Sequence, residues 1–105
     1  MDTDTLKRLK RGIAIRSILQ QRQYQLMPVA IQIAVFLAAN EGLMDEIPED
    51  KMNYAQELIG EIMHNDFAHI IDDIKNRKKL TDLMRDKMLK AFTKLFQKKG
   101  LIPKE

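Results

Sequence analysis

The longest apolar run in the chain lies between Val29 and Ala39 and is interrupted only by Gln32. Apolar residues on every side of a helix of this length predict an element buried all round. Pro28 suits its first turn, where a missing N–H costs nothing. The helix is predicted over residues 28–40 and stops at Gly42, a residue suited to the left-handed conformation that ends helices. Around it the pattern is amphipathic. Residues 5–19 read as a helix with Asp2, Asp4 and Thr5 available at its start. Leu6, Leu9 and Ile13 form one stripe of that helix, and Ile15, Ile18 and Leu19 fall on another side. Gly12 sits in its middle, where either a close helix crossing or tolerated weakness explains it. Gln20 to Met27 reads as a connection.

Ile47-Pro48 begins the next helix, with Glu49 and Asp50 in its first turn. Met52, Ala55, Ile59 and Ile62 form its stripe, with Leu58 and Met63 at the margins. Asn65 or Asp66 caps a short helix whose buried side is Phe67, Ile70, Ile71 and Ile74. Thr81 caps the last helix. Its stripe is Met84, Met88, Leu89, Phe92, Leu95 and Phe96. Gly100 ends it, Leu101 supplies the apolar contact that follows such an end, and Pro103 prevents continuation. The expected fold is all-α: a compact bundle of about five helices around the buried central helix, as a single domain over 1–105.

Charge changes this picture. The net value of +3 conceals four blocks: +4 over residues 1–22, no charge over 23–40, −9 over 41–73 and +8 over 74–105. Such segregation points to complementarity between packed segments or to a partner surface. The acidic turn exposes Asp45, Glu46, Glu49 and Asp50 as a candidate interaction loop. Calcium is disfavoured there, because Ile47 and Pro48 stand where a binding loop needs oxygen ligands and glycine.

Candidate chemistry is sparse. With no cysteine, disulfide scaffolds and thiolate metal sites are excluded. The sequence has no phosphate-binding glycine loop, no GxGxxG, no HExxH and no GxSxG. His64 and His69 are five apart, whereas zinc ligands on one helix favour three or four, so no metal site is assigned. No catalytic or cofactor-binding residue is assigned either. The N-terminus has no secretory h-region, and the apolar run is about half of the ~20 residues a membrane span needs. Lys75-Asn76-Arg77-Lys78-Lys79 and the later lysines could follow a phosphate backbone. The alternative reading is therefore a small basic helical nucleic-acid-binding module. Against it, Phe92 and Phe96 belong to the apolar stripe and cannot also stack bases.

One ordered constellation is more specific. It comprises Arg11-Gly12; Gln20-Gln21-Arg22-Gln23-Tyr24; Met27-Pro28-Val29 with Gln32; and Gly42-Leu43-Met44-Asp45-Glu46-Ile47-Pro48 with Lys51. It resembles the C-terminal helical domain of the F-type ATP synthase alpha subunit. The likeness continues through His69-Ile70-Ile71, Ile74, Lys79-Leu80 and the Phe92/Phe96 helix. Leu26 departs from the family's usual proline, Ala30-Ile31 from an acidic pair, and Met44 from leucine.

The resemblance implies a piece of a longer subunit, with Met1 internal or introduced. It implies a non-catalytic structural and interaction domain in the helical crown of an alpha/beta hexamer around a rotating central stalk. The implied partners are the beta and gamma subunits and the rest of the alpha subunit, without direct membrane insertion; nucleic acid is disfavoured by the lack of interleaved aromatics in the basic segment. ATP or ADP and magnesium would belong to the family's central domain, and no cofactor to this segment. The implied location is the cytoplasmic face of a bacterial inner membrane or the mitochondrial matrix side, within a peripheral complex.

Overall fold

Six α-helices and one 3-10 turn occur among the described residues, in the order α1 (Thr3–Gln20), α2 (Arg22–Leu26), α3 (Val29–Asn40), the 3-10 turn (Glu49–Lys51), α4 (Met52–Asp66), α5 (Ala68–Lys75) and α6 (Asp82–Lys98). The computed structural model describes residues 2–103, and no strand occurs among them. The predicted all-α bundle is therefore observed, with one helix more than expected. The extra one is α2. Its Arg, Gln and Leu residues have good helical propensity, and the Gln25 N–H donates to the Gln21 carbonyl. Extended backbone at Gln21 and Met27 isolates this single turn from its neighbours.

Helix starts follow local chemistry in two places. The Asp2 carboxylate accepts the Thr5 N–H at 2.7 Å, and the Thr81 hydroxyl accepts the Met84 N–H at 3.2 Å. Pro28 lies one position earlier than expected, at the N-cap of α3, and its carbonyl accepts from Ile31 and Gln32. The junction before α5 differs from the sequence expectation. Asp66 is the last residue of α4, and Phe67, not Asn65 or Asp66, takes the cap position without a side-chain acceptor. Burial of the Phe67 ring fixes the junction, so tertiary packing overrides the capping preference.

Three helices end in the same way. Gly42, Arg77 and Gly100 have φ of +88°, +60° and +75°. At each end the next N–H reaches back five residues: Leu43 to Ala38, Lys78 to Asp73 and Leu101 to Phe96. These double-bonded ends satisfy carbonyls that the helix leaves unpaired. Arg77 does so without glycine's freedom.

α3 lies at the centre and packs against α1, α4, α5 and α6. Ala34, Val35 and Ala38 are sealed beneath it, facing Ile18, Ile59, Met63, Ile70, Met88, Phe92 and Phe96 in one core. The expectation of all-round burial is nevertheless corrected. Val29, Ile33 and Phe36 are 66%, 39% and 42% exposed and form an open side of α3. Leu6, Leu9 and Ile13 of α1 are exposed as well. Periodicity identifies residues that share a face, but not whether a neighbour covers it. On α4 the buried set is Met52, Ala55, Gln56, Leu58, Ile59 and Met63, so the stripe is rotated toward Met63 and leaves Ile62 half-buried.

Gly12 has no heavy atom within 4 Å of where a Cβ would stand, beyond its own helix's nearby backbone. Of the two explanations offered by the sequence, tolerated weakness is the one observed.

Candidate interaction site

The residues of the ordered constellation do not converge on one pocket. They form polar joints between successive helices. Arg11, from the middle of α1, extends past Gly42 and reaches the Asp45 carboxylate at 3.5 Å. A Cβ on Gly42 would stand 2.5 Å from the tip of the flexible Arg11 side chain, which can move aside, so it is the positive φ that calls for glycine here. Gly12, beside Arg11, is exposed and leaves α1 free of any second crossing there.

The glutamines make the next joints. Gln21 accepts from the Gln56 amide, tying the end of α1 to α4. Gln56 is fully buried, the one polar side chain inside the core among the described residues. The sequence reading missed it, although its place four residues after Met52 and three before Ile59 puts it on the buried face. Gln23 donates to the Asn53 carbonyl at 3.5 Å. Tyr24 and Gln32 are reciprocal: the Gln32 amide donates to the Tyr24 carbonyl at 2.9 Å, and the Tyr24 hydroxyl donates to the Gln32 carbonyl at 3.4 Å. Burial raises the Tyr24 pKa above its ordinary value. Pro28 stands between these partners and fixes the turn from α2 into α3.

Beyond Gly42 the acidic loop is held from both sides. Met44 and Ile47 are buried. Asp45 lies mostly inside and pairs with Arg11, while the exposed Glu46 pairs with Lys10 at 2.8 Å. Pro48 precedes the 3-10 turn, whose Glu49 and Asp50 are exposed. Of the four candidate loop residues, two are thus tied to α1, and two face solvent with no ion pair among the described residues.

An open cleft of about 360 Å³ adjoins this loop, bounded by Lys10, Ile13, Ser17, Asp45, Ile47 and Met52. Of its lining atoms, Ser17 Oγ and Asp45 Oδ1 are buried without a hydrogen-bond partner among the described residues, as is Arg11 Nε on the neighbouring side chain. The arrangement offers charge and shape to a protein surface, and it pairs no nucleophile with a base.

The other candidates are dispersed. His64 and His69 are both exposed, and the His69 ring leans against Phe67 with centroids 6.4 Å apart. No three His, Cys, Asp or Glu side chains among the described residues come together as a metal site. Lys87, Lys90, Lys94 and Lys98 run exposed along one side of α6, whereas Phe92 and Phe96 are fully buried. The acidic block pairs mainly with α1. Its one ion pair to the basic C-terminal block among the described residues, Asp73–Lys78, is long, at 3.9 Å.

This set of joints on an all-helical frame corresponds to a known domain class. Residues 1–95 match the family model described as "ATP synthase alpha/beta chain, C terminal domain", and the chain belongs to that family. Among curated proteins it is similar to "ATP synthase subunit alpha" of Syntrophomonas wolfei subsp. wolfei and to "ATP synthase subunit alpha 2" of Syntrophus aciditrophicus. Each is 35% identical over 91 residues, which is 87% of this chain and 18% of the relative. The chain thus spans about a fifth of the length of these relatives. No solved structure matches it at a significant level. No helix among the described residues is long and apolar enough to cross a membrane.

Proposed function

We propose that this domain is a non-catalytic structural and interaction domain of a proton-translocating ATP synthase alpha subunit. In this reading it forms part of the helical crown of an alpha/beta hexamer around the rotating central stalk. Its partners are the beta and gamma subunits and the remainder of the alpha subunit. ATP or ADP and magnesium are bound elsewhere in that subunit, and the complex is peripheral to the membrane. The observation that carries the reading is the family match over residues 1–95. It is supported by the use of the motif side chains as interhelical joints, which suits a rigid support better than a reaction centre.

The acidic loop is the proposed contact surface. Glu49 and Asp50 project from a loop whose base is pinned by Met44, Ile47 and the two ion pairs. Neutralising Asp45, Glu46, Glu49 and Asp50 in an intact ATP synthase should weaken assembly or coupling of ATP hydrolysis to proton transport. Unchanged assembly, rotation and coupling would remove the loop from this role. Titration of the isolated chain with ATP and magnesium should give no tight binding; micromolar binding by calorimetry would contradict the non-catalytic reading.

A nucleic-acid-binding module is the second reading, favoured by one observation, the exposed lysine stripe on α6. It requires salt-dependent retention of short duplex or single-stranded DNA, with a slope that falls as these lysines are removed.

A further inference from the structure

The connection between α5 and α6 differs from the others in its backbone. Residues 78–81 lie outside any helix or turn. The N–H groups of Lys79 and Leu80 and the carbonyls of Lys78 and Lys79 make no backbone hydrogen bond among the described residues. Both polar groups of the Lys78–Lys79 and Lys79–Leu80 peptide bonds are therefore free. The Arg77–Lys78 bond is different, because the Lys78 N–H donates to the Asp73 carbonyl at 2.8 Å. The side chains from Lys75 to Lys79 are all exposed. Half-buried Leu80 is the apolar tether of this segment to the core.

We propose that this connection is a proteolytic modification site: an endoprotease with an acidic specificity pocket cuts the folded chain after Lys78 or Lys79, and α6 stays seated in the bundle. Such an enzyme holds its substrate as an added strand, so it needs unbonded N–H and C=O groups next to a basic side chain. Other basic residues among the described ones lie in helices or in hydrogen-bonded turns. Lys51 donates its N–H to the Pro48 carbonyl. Lys99 donates to Leu95, and Leu101 closes the same end onto Phe96. The acidic loop, residues 41–50, has no basic side chain to enter such a pocket.

Local energetics favour opening at this place. Arg77 is held at φ +60°, which is unfavourable for a residue with a Cβ, and release of the segment lets it relax. The Asp73–Lys78 pair is long and exposed at the lysine, so it resists little. Both cuts fall outside the packed helices. Met88, Phe92 and Phe96 stay fully buried, with α6 against α3 and α4, and hold residues 80–105 in place afterwards. In the reaction the carbonyl-carbon to nitrogen bond breaks and water adds across it. The hydroxyl completes the new carboxyl group of Lys78 or Lys79, and the hydrogen completes the new amino group of Lys79 or Leu80. The inference concerns the chain itself and stands apart from the ATP synthase reading.

Dilute trypsin added to the folded 105-residue chain tests it, with the masses of the first products read over time. The first cuts should fall after Lys78 and Lys79, ahead of Arg77, Lys51 and Lys99. Subtilisin, which needs no basic residue, should open the same segment first, because the backbone sets access. Lys78→Gln with Lys79→Gln leaves only the bonded Arg77 site in the segment and should slow the first tryptic cut by about tenfold or more. Leu80→Ala should speed it severalfold by loosening the tether, with circular dichroism confirming that each variant is folded. The nicked chain should elute as one particle at micromolar concentration and separate into two pieces in urea. First cuts by either enzyme within α1, α6 or the acidic loop, an unchanged rate in either folded variant, or separation of the pieces in native buffer would overturn the proposal.

Discussion

Arg11, Gly42 and Asp45 show at the level of single residues how a sequence motif becomes a structural requirement. Gly42→Ala must hold alanine at a φ of +88°, with the tip of the Arg11 side chain moving aside for the methyl group. It should destabilise the domain by about 1–2 kcal/mol in urea unfolding, and by nearly as much when Arg11 is already alanine, because the backbone conformation sets the cost. Gly12→Ala should have the opposite sign, a gain of about 1 kcal/mol, because that glycine only weakens an otherwise regular helix with open space beside it. Arg77→Gly should also stabilise, by about 1 kcal/mol, because Arg77 ends α5 in the left-handed region at φ +60°. Tyr24 adds a pH dependence. Burial raises its folded-state pKa above the ordinary 10.0. The folded chain therefore binds that proton more tightly, and the contribution is complete below pH 10.0. It is lost as pH rises through the folded-state value. Urea unfolding across this alkaline range should show a loss of stability that is reduced in Tyr24→Phe.

At the level of helices, the aromatic side of α6 carries much of the packing. Phe92 and Phe96 are completely buried against α3 and α4, and Phe92→Ala should cost about 3–5 kcal/mol, read as a lower urea midpoint. This side was legible in the sequence, as were the α6 cap at Thr81 and the ends at Gly42 and Gly100, because each depends on residues a few positions apart. What was not legible depends on distant parts of the chain. The stripe of Leu6, Leu9 and Ile13 has helical spacing, yet nothing among the described residues covers it. Gln56 carries no local sign of its bond to Gln21, thirty-five residues away. The helical turn at Arg22–Leu26 is too short for an apolar period to reveal. The constellation around Arg11, Tyr24 and Gly42 identified the family, but only the folded arrangement explains its chemistry: its members are mutual hydrogen-bond and ion-pair partners.

For the whole molecule, the charge blocks determine how the fold responds to salt. The three ion pairs involve Lys10, Arg11 and Lys78, and they leave the lysines of α6 without anionic partners among the described residues. Screening relieves repulsion within that cationic side while sacrificing little from exposed pairs such as Lys10–Glu46. Moderate sodium chloride should therefore raise the thermal midpoint of the wild type. The gain should shrink when Lys90 and Lys94 are replaced by glutamine. The ties between α1 and the acidic loop also have a mechanical consequence. Met44 and Ile47 act as two pegs in the core, and Lys10 and Arg11 act as two guys to the loop from a long helix. A load applied at Glu49 or Asp50 acts first on the two buried pegs, because the exposed Lys10–Glu46 pair adds little resistance of its own. To swing away from the bundle, the loop should have to lift Met44 and Ile47 out of the core, and their burial makes it a stiff lug on the side of the bundle.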